Sequence, residues 1–234
     1  HQVIVEVQVV QHRQPQGQHL LRLDLQILLP LGDTNVIGMS MRAFEACPRV
    51  AEIIVVARRA DHDAIRETAE QCGITKFHAI VAGGSTRQES VMCGLRALSK
   101  GTTMIAVHDG ARPLVKTEQI AQVIQDASVF GGATLGVPVK DTIKVVNDRL
   151  IVDTPYRPHL YITQTPQVFK RQLYFEAVTF AEEHALDFTD DCQLIEAINC
   201  KVYMTEGDYT NIKITTPEDI AIAEILLARQ KEEA

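Results

Sequence analysis

Short runs of aliphatic and β-branched residues alternate with longer amphipathic stretches from about residue 35 onward. Residues 52–57 form one such run, which is typical of a strand buried on both faces of a sheet. Comparable runs predict strands at residues 78–82, 103–107 and 133–137, with helices at residues 61–71 and 117–130. The alternation predicts an α/β fold in which helices cover both faces of a mostly parallel sheet.

The second half of the chain departs from this alternation at one place. Residues 142–146 and 150–152 are strand-like and are separated by a short polar turn, which predicts a hairpin. We expect this hairpin to project as an arm, at about residues 139–160, and to pair with a second copy of the chain. The remaining patterns predict strands at residues 161–164 and 201–205, helices at residues 170–183 and just after Thr189, and a last helix capped by Thr216. No long linker interrupts them, so we expect a single domain over residues 1–234.

Composition and charge exclude several classes of protein. Of 234 residues, 46% are hydrophobic and 23% are charged, which is a globular rather than a disordered composition. The net charge of −7 argues against broad nucleic-acid binding, and the apolar runs are too short for a transmembrane helix. Five cysteines without metal-ligand spacing, and no recognisable signal peptide, predict a cytoplasmic protein with free thiols.

Candidate ligand-binding residues follow the predicted strand at 78–82, because ligands bind at the carboxyl ends of strands in open parallel sheets. Gly83 and Gly84 come first, and Ser85 then predicts a helix N-cap, with Gln88 completing a capping box. Two glycines allow a ligand to approach the backbone, and a helix N-terminus favours anions. An ordinary strand-to-helix turn is the alternative.

The loop after the strand at 103–107 contains His108, Asp109 and Arg112. A carboxylate at this position can bind a divalent cation, and an arginine three residues further on can bind a phosphate. A salt bridge within the loop is the alternative. We interpret His108 as a packed neighbour of the loop.

Other polar residues at the ends of predicted elements extend this site. We expect Thr165 to begin a helix and Lys213 to lie on a short strand before the last helix. Cationic residues in turns or in the arm predict a basic pocket for small polyanions at one edge of the sheet: Arg87, Arg112, Lys140, Lys144, Arg157 and Lys213.

The sequence lacks a nucleophile elbow, a phosphate-binding loop of the Gly-x-x-x-x-Gly-Lys-Ser/Thr type, a His-Glu-x-x-His zinc motif and a dinucleotide fingerprint, which argues against hydrolases and dehydrogenases.

Many separate motifs agree with one known family. The matching segments are residues 29–32, 83–91, 107–113, 137–144, 164–169, 189–191 and 211–219, together with Arg157. In this order they resemble the 2-C-methyl-D-erythritol 4-phosphate cytidylyltransferases, over about residues 28–230. The resemblance implies transfer of CMP from CTP to 2-C-methyl-D-erythritol 4-phosphate with release of pyrophosphate, in non-mevalonate isoprenoid biosynthesis. It also implies a nucleotidyltransferase-type (Rossmann-like) fold, use of Mg²⁺ and a homodimer formed through the arm.

The resemblance assigns roles to residues as well. The implied nucleotide-binding residues are Gly83, Gly84, Ser85, Arg87, Ser90, Asp109 and Gly110, with Asp109 also binding the metal ion. The implied sugar-phosphate-binding residues are Asp109, Arg112, Thr142, Arg157, Thr165, Thr189 and Lys213. Thr142 and Arg157 are expected to reach the site from the partner's arm, and Arg157 and Lys213 to be the catalytic residues that position the attacking phosphate.

The N-terminal segment departs from the family pattern. Residues 1–26 contain seven glutamines and one glycine, Gly17, where the family has a glycine-rich loop with an arginine, followed by a lysine. Gln26 holds the lysine position, and the arginine position falls near Gln18 or His19. The family uses those cations on the CTP phosphates, so two explanations stay open: a weakened or inactive relative, or a molecule with a different N-terminal segment. Residues 3–5 still predict a strand.

Two other functions also stay open. A ribitol-5-phosphate cytidylyltransferase is favoured by residues 153–161, whereas residues 137–144 and 189–191 favour the methylerythritol enzyme. A non-catalytic sugar-phosphate-binding protein that has lost the glycine-rich loop is the alternative from another class.

Overall fold

A computed structural model of the protein describes residues 3–8, 27–186 and 188–232. The strands are β1 (Val3–Gln8), β2 (Pro30–Leu31), β3 (Thr34–Asn35), β4 (Val50–Ala57), β5 (Phe77–Ala82), β6 (Met104–Asp109), β7 (Gly132–Pro138), β8 (Val145–Asn147), β9 (Leu150–Asp153), β10 (Tyr161–Lys170) and β11 (Tyr203–Glu206). The helices are α1 (Val36–Glu45), α2 (His62–Gln71), α3 (Arg87–Arg96), α4 (Thr117–Phe130), α5 (Arg171–Glu183), α6 (Asp191–Ala197) and α7 (Pro217–Glu232). None of these helices is long and apolar enough to cross a membrane within the described ranges.

The main sheet has seven strands in the order β11-β7-β10-β6-β1-β4-β5. Strand β10 runs antiparallel to its neighbours β6 and β7, and the other neighbouring pairs are parallel. The carboxyl ends of β1, β4, β5 and β6 therefore lie at one edge of the sheet. The predicted mostly parallel α/β fold is confirmed.

Alternate residues of β6 face opposite layers of helices. Met104 and Ala106 are buried among residues of α1, α2 and α4, whereas Ile105 and Val107 are buried among residues of α3, α5 and α6. Successive side chains of a strand point to opposite faces, so a strand that is apolar at every position needs a helical layer on each side. The predicted helices on both faces are confirmed.

The N-terminal strand β1 lies inside the sheet, between β6 and β4. Residues 3–5 are buried, which confirms the strand predicted there. Gln8, the last residue of β1, lies beside Asp109 in the register with β6. Gly17, which fits the family's glycine-rich loop, and Gln18, His19 and Gln26, which depart from the family pattern, lie outside the described residues.

The predicted hairpin is formed by β8 and β9, which pair antiparallel in a separate two-stranded sheet. Its two turn residues, Asp148 and Arg149, both have positive φ, as a tight hairpin turn requires. Apolar side chains of the hairpin are exposed, including Leu150 at 71% and Ile151 at 63%. The hairpin is therefore stabilised by little burial within its own chain.

Two predicted helix starts are displaced by one residue. Thr86, not Ser85, is the N-cap of α3, and its side chain accepts from the amide of Glu89. Asp190, not Thr189, is the N-cap of α6. In both places neighbouring polar residues compete for the same backbone donor, and local sequence does not distinguish them.

Candidate active site

Three segments that are distant in sequence meet at the carboxyl end of β6. They are the end of β6 with the loop after it, carrying Asp109 and Arg112; the middle of β10, with Thr165; and the irregular segment before α7, with Lys213. Asn211 links them, because its Nδ2 donates to the Thr165 carbonyl at 3.0 Å and its own carbonyl accepts from Arg112 Nη1 at 2.8 Å. The expectation that Lys213 lies on a strand is wrong, because hydrogen bonds to other segments, not to a neighbouring strand, hold this stretch.

The centre of the site is a carboxylate flanked by two cations. Lys213 Nζ lies 3.0 Å and Arg112 Nε 3.4 Å from the same oxygen, Oδ2 of Asp109. The Asp109 and Arg112 side chains are only 16% and 12% exposed. The salt bridge expected within the loop is present, and Lys213 joins it from 104 residues further along the chain.

The charges of this cluster are fixed by their neighbours. Burial alone raises the pKa of Asp109, but the positive charges of Lys213 and Arg112 outweigh burial and leave that pKa below its ordinary value. Burial also lowers the pKa of Arg112, against the opposing effect of Asp109. With the carboxyl ionised and both cations charged, the cluster has one net positive charge, which suits a phosphate.

Thr165 lies within strand β10, so the helix expected to begin there is wrong; α5 begins at Arg171. Thr165 is buried, and its peptide bond to Pro166 is cis. Its Oγ1 accepts from the Asp109 amide at 3.0 Å and lies 3.0 Å from His108 Nδ1. The hydroxyl thus fixes the residue that carries the carboxylate.

The loop after β5 is held closed by the first turn of α3. Gly84 N donates to Ser90 Oγ at 3.1 Å, and the amide and hydroxyl of Ser85 both donate to Glu89 Oε2 at 2.6 Å. A Cβ added at Gly83 would lie 2.9 Å from Ser90 Oγ, and one at Gly84 would collide with the Glu89 side chain. Glycine is therefore required at position 84, whereas a side chain at position 83 would need the Ser90 hydroxyl to move.

The same contacts change the interpretation of this loop. The Glu89 carboxylate already accepts the donors of Ser85, and these two hydrogen bonds lower the pKa of Glu89. An anion at this helix N-terminus would meet a negative charge. The loop therefore suits an uncharged part of a ligand better than a phosphate, contrary to the sequence-based expectation. Arg87 begins α3, and its side chain lies outside the described part of the structure.

The cations of the predicted basic pocket do not all meet within one chain. Arg157 Nη1 donates to the Lys140 carbonyl at 3.0 Å, Lys140 Nζ lies 3.5 Å from the Tyr209 ring centre, and Lys144 Nζ donates to Thr154. In the described part of the chain, no hydrogen bond or ion pair joins these side chains, or that of Thr142, to Asp109. Arg112 and Lys213 are thus the described cations that converge on the carboxylate.

Thr189 lies just before α6 and is exposed. Its amide and hydroxyl donate to Gln193 Oε1 at 3.0 and 3.2 Å. Gln167 of β10 fixes the start of α6, because its Oε1 accepts from Asp191 N at 2.9 Å and its Nε2 donates to Asp190. Strand β10 thus positions both Thr165 and the segment that carries Thr189.

Sequence reasoning missed two residues that shape the site. Ser40 of α1 is fully buried and donates to the Gly110 carbonyl at 3.0 Å and to the Arg112 carbonyl at 3.2 Å. Asn211, also buried, joins β10 to the segment of Lys213. A polar residue on the apolar face of a helix was the available signal for Ser40, because such residues are rarely buried without partners.

Two cations lie beside one carboxylate at the carboxyl end of β6, in a mostly parallel α/β sheet. Together with the family match that follows, this arrangement identifies an α/β protein of the nucleotidyltransferase class. The chain belongs to the 2-C-methyl-D-erythritol 4-phosphate cytidylyltransferase (IspD) family, whose model matches residues 16–229.

Individual relatives agree with this assignment. The chain is 42% identical over 206 residues to the 2-C-methyl-D-erythritol 4-phosphate cytidylyltransferase of Caldanaerobacter subterraneus subsp. tengcongensis, covering 87% of this chain and 91% of that protein. It is 36% identical over 227 residues to the enzyme of the same name from Halalkalibacterium halodurans, covering 97% and 99%. The crystal structure of 4-diphosphocytidyl-2C-methyl-D-erythritol synthase from Anaerococcus prevotii superposes with a TM-score of 0.84 at 28% identity, over 97% of this chain and 98% of the other.

Proposed function

We propose that the protein transfers CMP from CTP to 2-C-methyl-D-erythritol 4-phosphate and releases pyrophosphate. It does so as one catalytic domain over residues 1–234, with a dimerisation arm at about residues 139–160 within it. The observation that carries this proposal is the Asp109 carboxylate between Arg112 and Lys213, in a chain of this family. The reaction belongs to non-mevalonate isoprenoid precursor synthesis. The five unpaired cysteines agree with the cytoplasm as its compartment.

The reaction needs positioning more than proton transfer. The nucleophile is a phosphate monoester, whose second pKa of about 6 leaves it largely dianionic at neutral pH. One of its oxygens attacks the α-phosphorus of CTP, and the bond from that phosphorus to the pyrophosphate leaving group breaks. Because no proton must be removed, catalysis consists of aligning two anions and stabilising the charge at the α-phosphate. Lys213 and Arg112 supply that charge beside Asp109.

The residues present also suit a magnesium ion. Within the described residues no group of three or more metal-ligating side chains is found, so an all-protein cage is not the arrangement here. Mg²⁺ in such sites uses one or two carboxylates together with substrate phosphates and water. Both cations of the site approach Oδ2 of Asp109, so Oδ1 is the carboxylate oxygen that would bind the ion. When bound there, the ion would neutralise charge on the CTP phosphates.

The nucleotide would lie along the loop after β5. Gly83 and Gly84 expose their backbone, Ser85 and Ser90 hold the loop in shape, and Glu89 makes it unsuitable for a phosphate. We therefore assign the base and ribose to this loop. Gly110, at the turn after β6, and Arg87 complete the proposed nucleotide site, and the phosphates extend towards Asp109.

The arm would complete the site of a second copy. Thr142 and Arg157 lie on the arm, and within the described residues no hydrogen bond or ion pair joins their side chains to Asp109 of their own chain. The apolar side chains of the arm are exposed. Pairing of two arms would bury those side chains, which is the driving force for association. In the homodimer, Arg157 from the partner's arm would join Lys213 at the attacking phosphate, with Thr142, Thr165 and Thr189 around the sugar-alcohol.

The test is pyrophosphate release with CTP and Mg²⁺, comparing 2-C-methyl-D-erythritol 4-phosphate with ribitol 5-phosphate and with no acceptor. Release with the methylerythritol substrate alone supports the proposal. Release with ribitol 5-phosphate alone would instead assign the other cytidylyltransferase activity. A folded sample that binds the sugar phosphate but releases no pyrophosphate would be a binding protein, and an intact mass would then show whether residues 1–26 are those of the sequence.

A further inference from the structure

The arm, residues 139–160, leaves the main sheet between β7 and β10. Its two ends stay together, because Tyr161 pairs with Pro138 and the Val139 amide donates to the Leu160 carbonyl at 3.0 Å. Residues 140–154 are exposed throughout, so burial against their own chain does not fix the direction of the arm. The contacts at the base of the arm therefore decide where it points.

Tyr209 makes two contacts at this base. Its hydroxyl donates to the Pro138 carbonyl at 2.7 Å, and Lys140 Nζ lies 3.5 Å from the centre of its ring. Pro138 is the last residue of β7 and Lys140 belongs to the arm, so Tyr209 bridges the point at which the chain leaves the sheet. The Lys140 carbonyl in turn accepts from Arg157 Nη1 at 3.0 Å. Tyr209 is thus connected, through Lys140, to the arginine that the arm is proposed to bring to the partner's site.

The segment that carries Tyr209 is itself held against the main sheet. The preceding residue, Asp208, accepts from Lys116 Nζ at 2.6 Å through its carboxylate and from Gln164 Nε2 at 2.8 Å through its backbone carbonyl. Lys116 lies at the start of α4 and Gln164 lies on β10, so two elements of the fold fix this segment. Tyr209 therefore orients the arm from a rigid support.

We infer that Tyr209 is a positioning residue that sets the direction of the arm and so places Thr142 and Arg157 in the active site of the partner. Tyr209 lies four residues before Lys213 in the sequence, yet its hydrogen bond and its cation–π contact are both made with the base of the arm. Tyr209 thus serves the site of the other chain, while Lys213 serves its own. This inference rests on the proposed function.

Two substitutions remove the contacts of Tyr209 in steps. Tyr209→Phe keeps the ring beside Lys140 and removes the hydrogen bond, and Tyr209→Leu removes both contacts. Because one neutral hydrogen bond is worth about three- to tenfold, Tyr209→Phe should lower kcat by about that factor. Loss of the exposed cation–π contact as well should bring the fall to about ten- to thirtyfold in Tyr209→Leu. KM for CTP should stay within about twofold, because the proposed nucleotide loop belongs to the same chain as Asp109.

Tyr203→Phe is the matched control. Tyr203 is 43% exposed, as is Tyr209, but it pairs with Ala133 near the amino end of β7, whereas the arm leaves the carboxyl end of that strand. Removing its hydroxyl should leave kcat within about twofold. Equal falls in kcat for Tyr203→Phe and Tyr209→Phe, or a Tyr209→Leu variant as active as the unsubstituted protein, would overturn the inference.

Mixed dimers, purified through two different tags, show which site Tyr209 serves. When one chain carries both Tyr209→Phe and Lys213→Met, the surviving site belongs to the unsubstituted chain and receives the altered arm, so its kcat should show the three- to tenfold fall. When the two substitutions are on different chains, the surviving site receives an unaltered arm and should keep full activity, which is half that of the unsubstituted dimer. The reverse result, or equal losses in both mixed dimers, would overturn the inference, because Tyr209 would then act within its own chain.

Two further measurements do not depend on turnover. Sedimentation should show a dimer for the protein and for each Tyr209 variant, since the apolar side chains of the arm are unchanged; a monomer would overturn the inference, because no partner would then receive the arm. Amide hydrogen exchange at Val139 should become about tenfold faster in Tyr209→Leu, with exchange in β6 unchanged, and an unchanged rate at Val139 would also overturn it. If the protein released no pyrophosphate with either sugar phosphate, the proposed function would fail, while hydrogen exchange would still show whether Tyr209 holds the arm.

Discussion

Replacing Lys213 by methionine removes one of two cations at the centre of the site while keeping most of the side-chain volume. Lys213 Nζ lies 3.0 Å from Asp109 Oδ2, and the lysine side chain is 30% exposed. Asp109 keeps Arg112 at 3.4 Å, so its carboxylate is not left alone. Partly exposed ion pairs contribute about 1 kcal/mol or less, so Tm should fall by no more than about 2–4 °C for a chain of this size.

The effect on catalysis should be far larger than the effect on stability. Loss of one preorganised charge donor at a developing oxyanion lowers kcat by about 10²–10³, or about 3–4 kcal/mol. The assay is steady-state pyrophosphate release with saturating CTP and Mg²⁺, alongside thermal unfolding. Lys201→Met is the matched control, because Lys201 is exposed and lies just before β11. Since β11 runs in the same direction as β6, Lys201 lies near the amino ends of these strands, whereas the Asp109 cluster lies at the carboxyl end of β6. A fall in kcat of less than tenfold in Lys213→Met, or an equal fall in Lys201→Met, would refute the assignment.

Three further predictions test the arm, the nucleotide loop and the last helix. Ile151→Glu places a charge on the exposed apolar arm and should convert a dimer to a monomer in sedimentation experiments; a dimer that persists would remove the arm from the interface. Gly84→Ala forces a Cβ against Glu89 and should raise KM for CTP about tenfold, with KM for the sugar phosphate unchanged; the reverse pattern would contradict the nucleotide assignment. Burial raises the pKa of Asp219, but hydrogen bonds from residues 215 and 216 outweigh burial and leave that pKa below its ordinary value. This cap therefore stabilises α7 above about pH 4, and the stabilisation is lost as pH falls through the lowered pKa. Asp219→Ala should therefore cost about 1 kcal/mol at pH 7, and its Tm deficit should shrink below pH 4; a constant deficit would exclude this role.

Elements with an unmistakable apolar period were predictable from the sequence. Residues 52–57 are apolar at nearly every position because β4 is covered on both faces, and α4 begins and ends where its pattern predicts. Thr165 was wrongly predicted to begin a helix, because a threonine before proline at the end of an apolar run resembles a helix start. In the structure, pairing with β6 and β7 keeps β10 extended to Lys170. Lys213 was misplaced for a similar reason. Its apolar neighbours resemble a strand, but the backbone amide of Ile214 donates a hydrogen bond to the Ala111 carbonyl in the loop after β6.

The sequence by itself determined the layers of the fold and the residue types that lie at the carboxyl ends of the strands, where we expect ligands to bind, because strand and helix periods and strand-end loops are local properties. Only the tertiary structure decided which of those residues meet. Asp109 and Lys213 become partners because β10 and the segment before α7 fold back onto the loop after β6. The buried ring of His108 likewise forms a hydrogen bond with Thr165, 57 residues away. Such contacts depend on strand order and register, which no local pattern encodes.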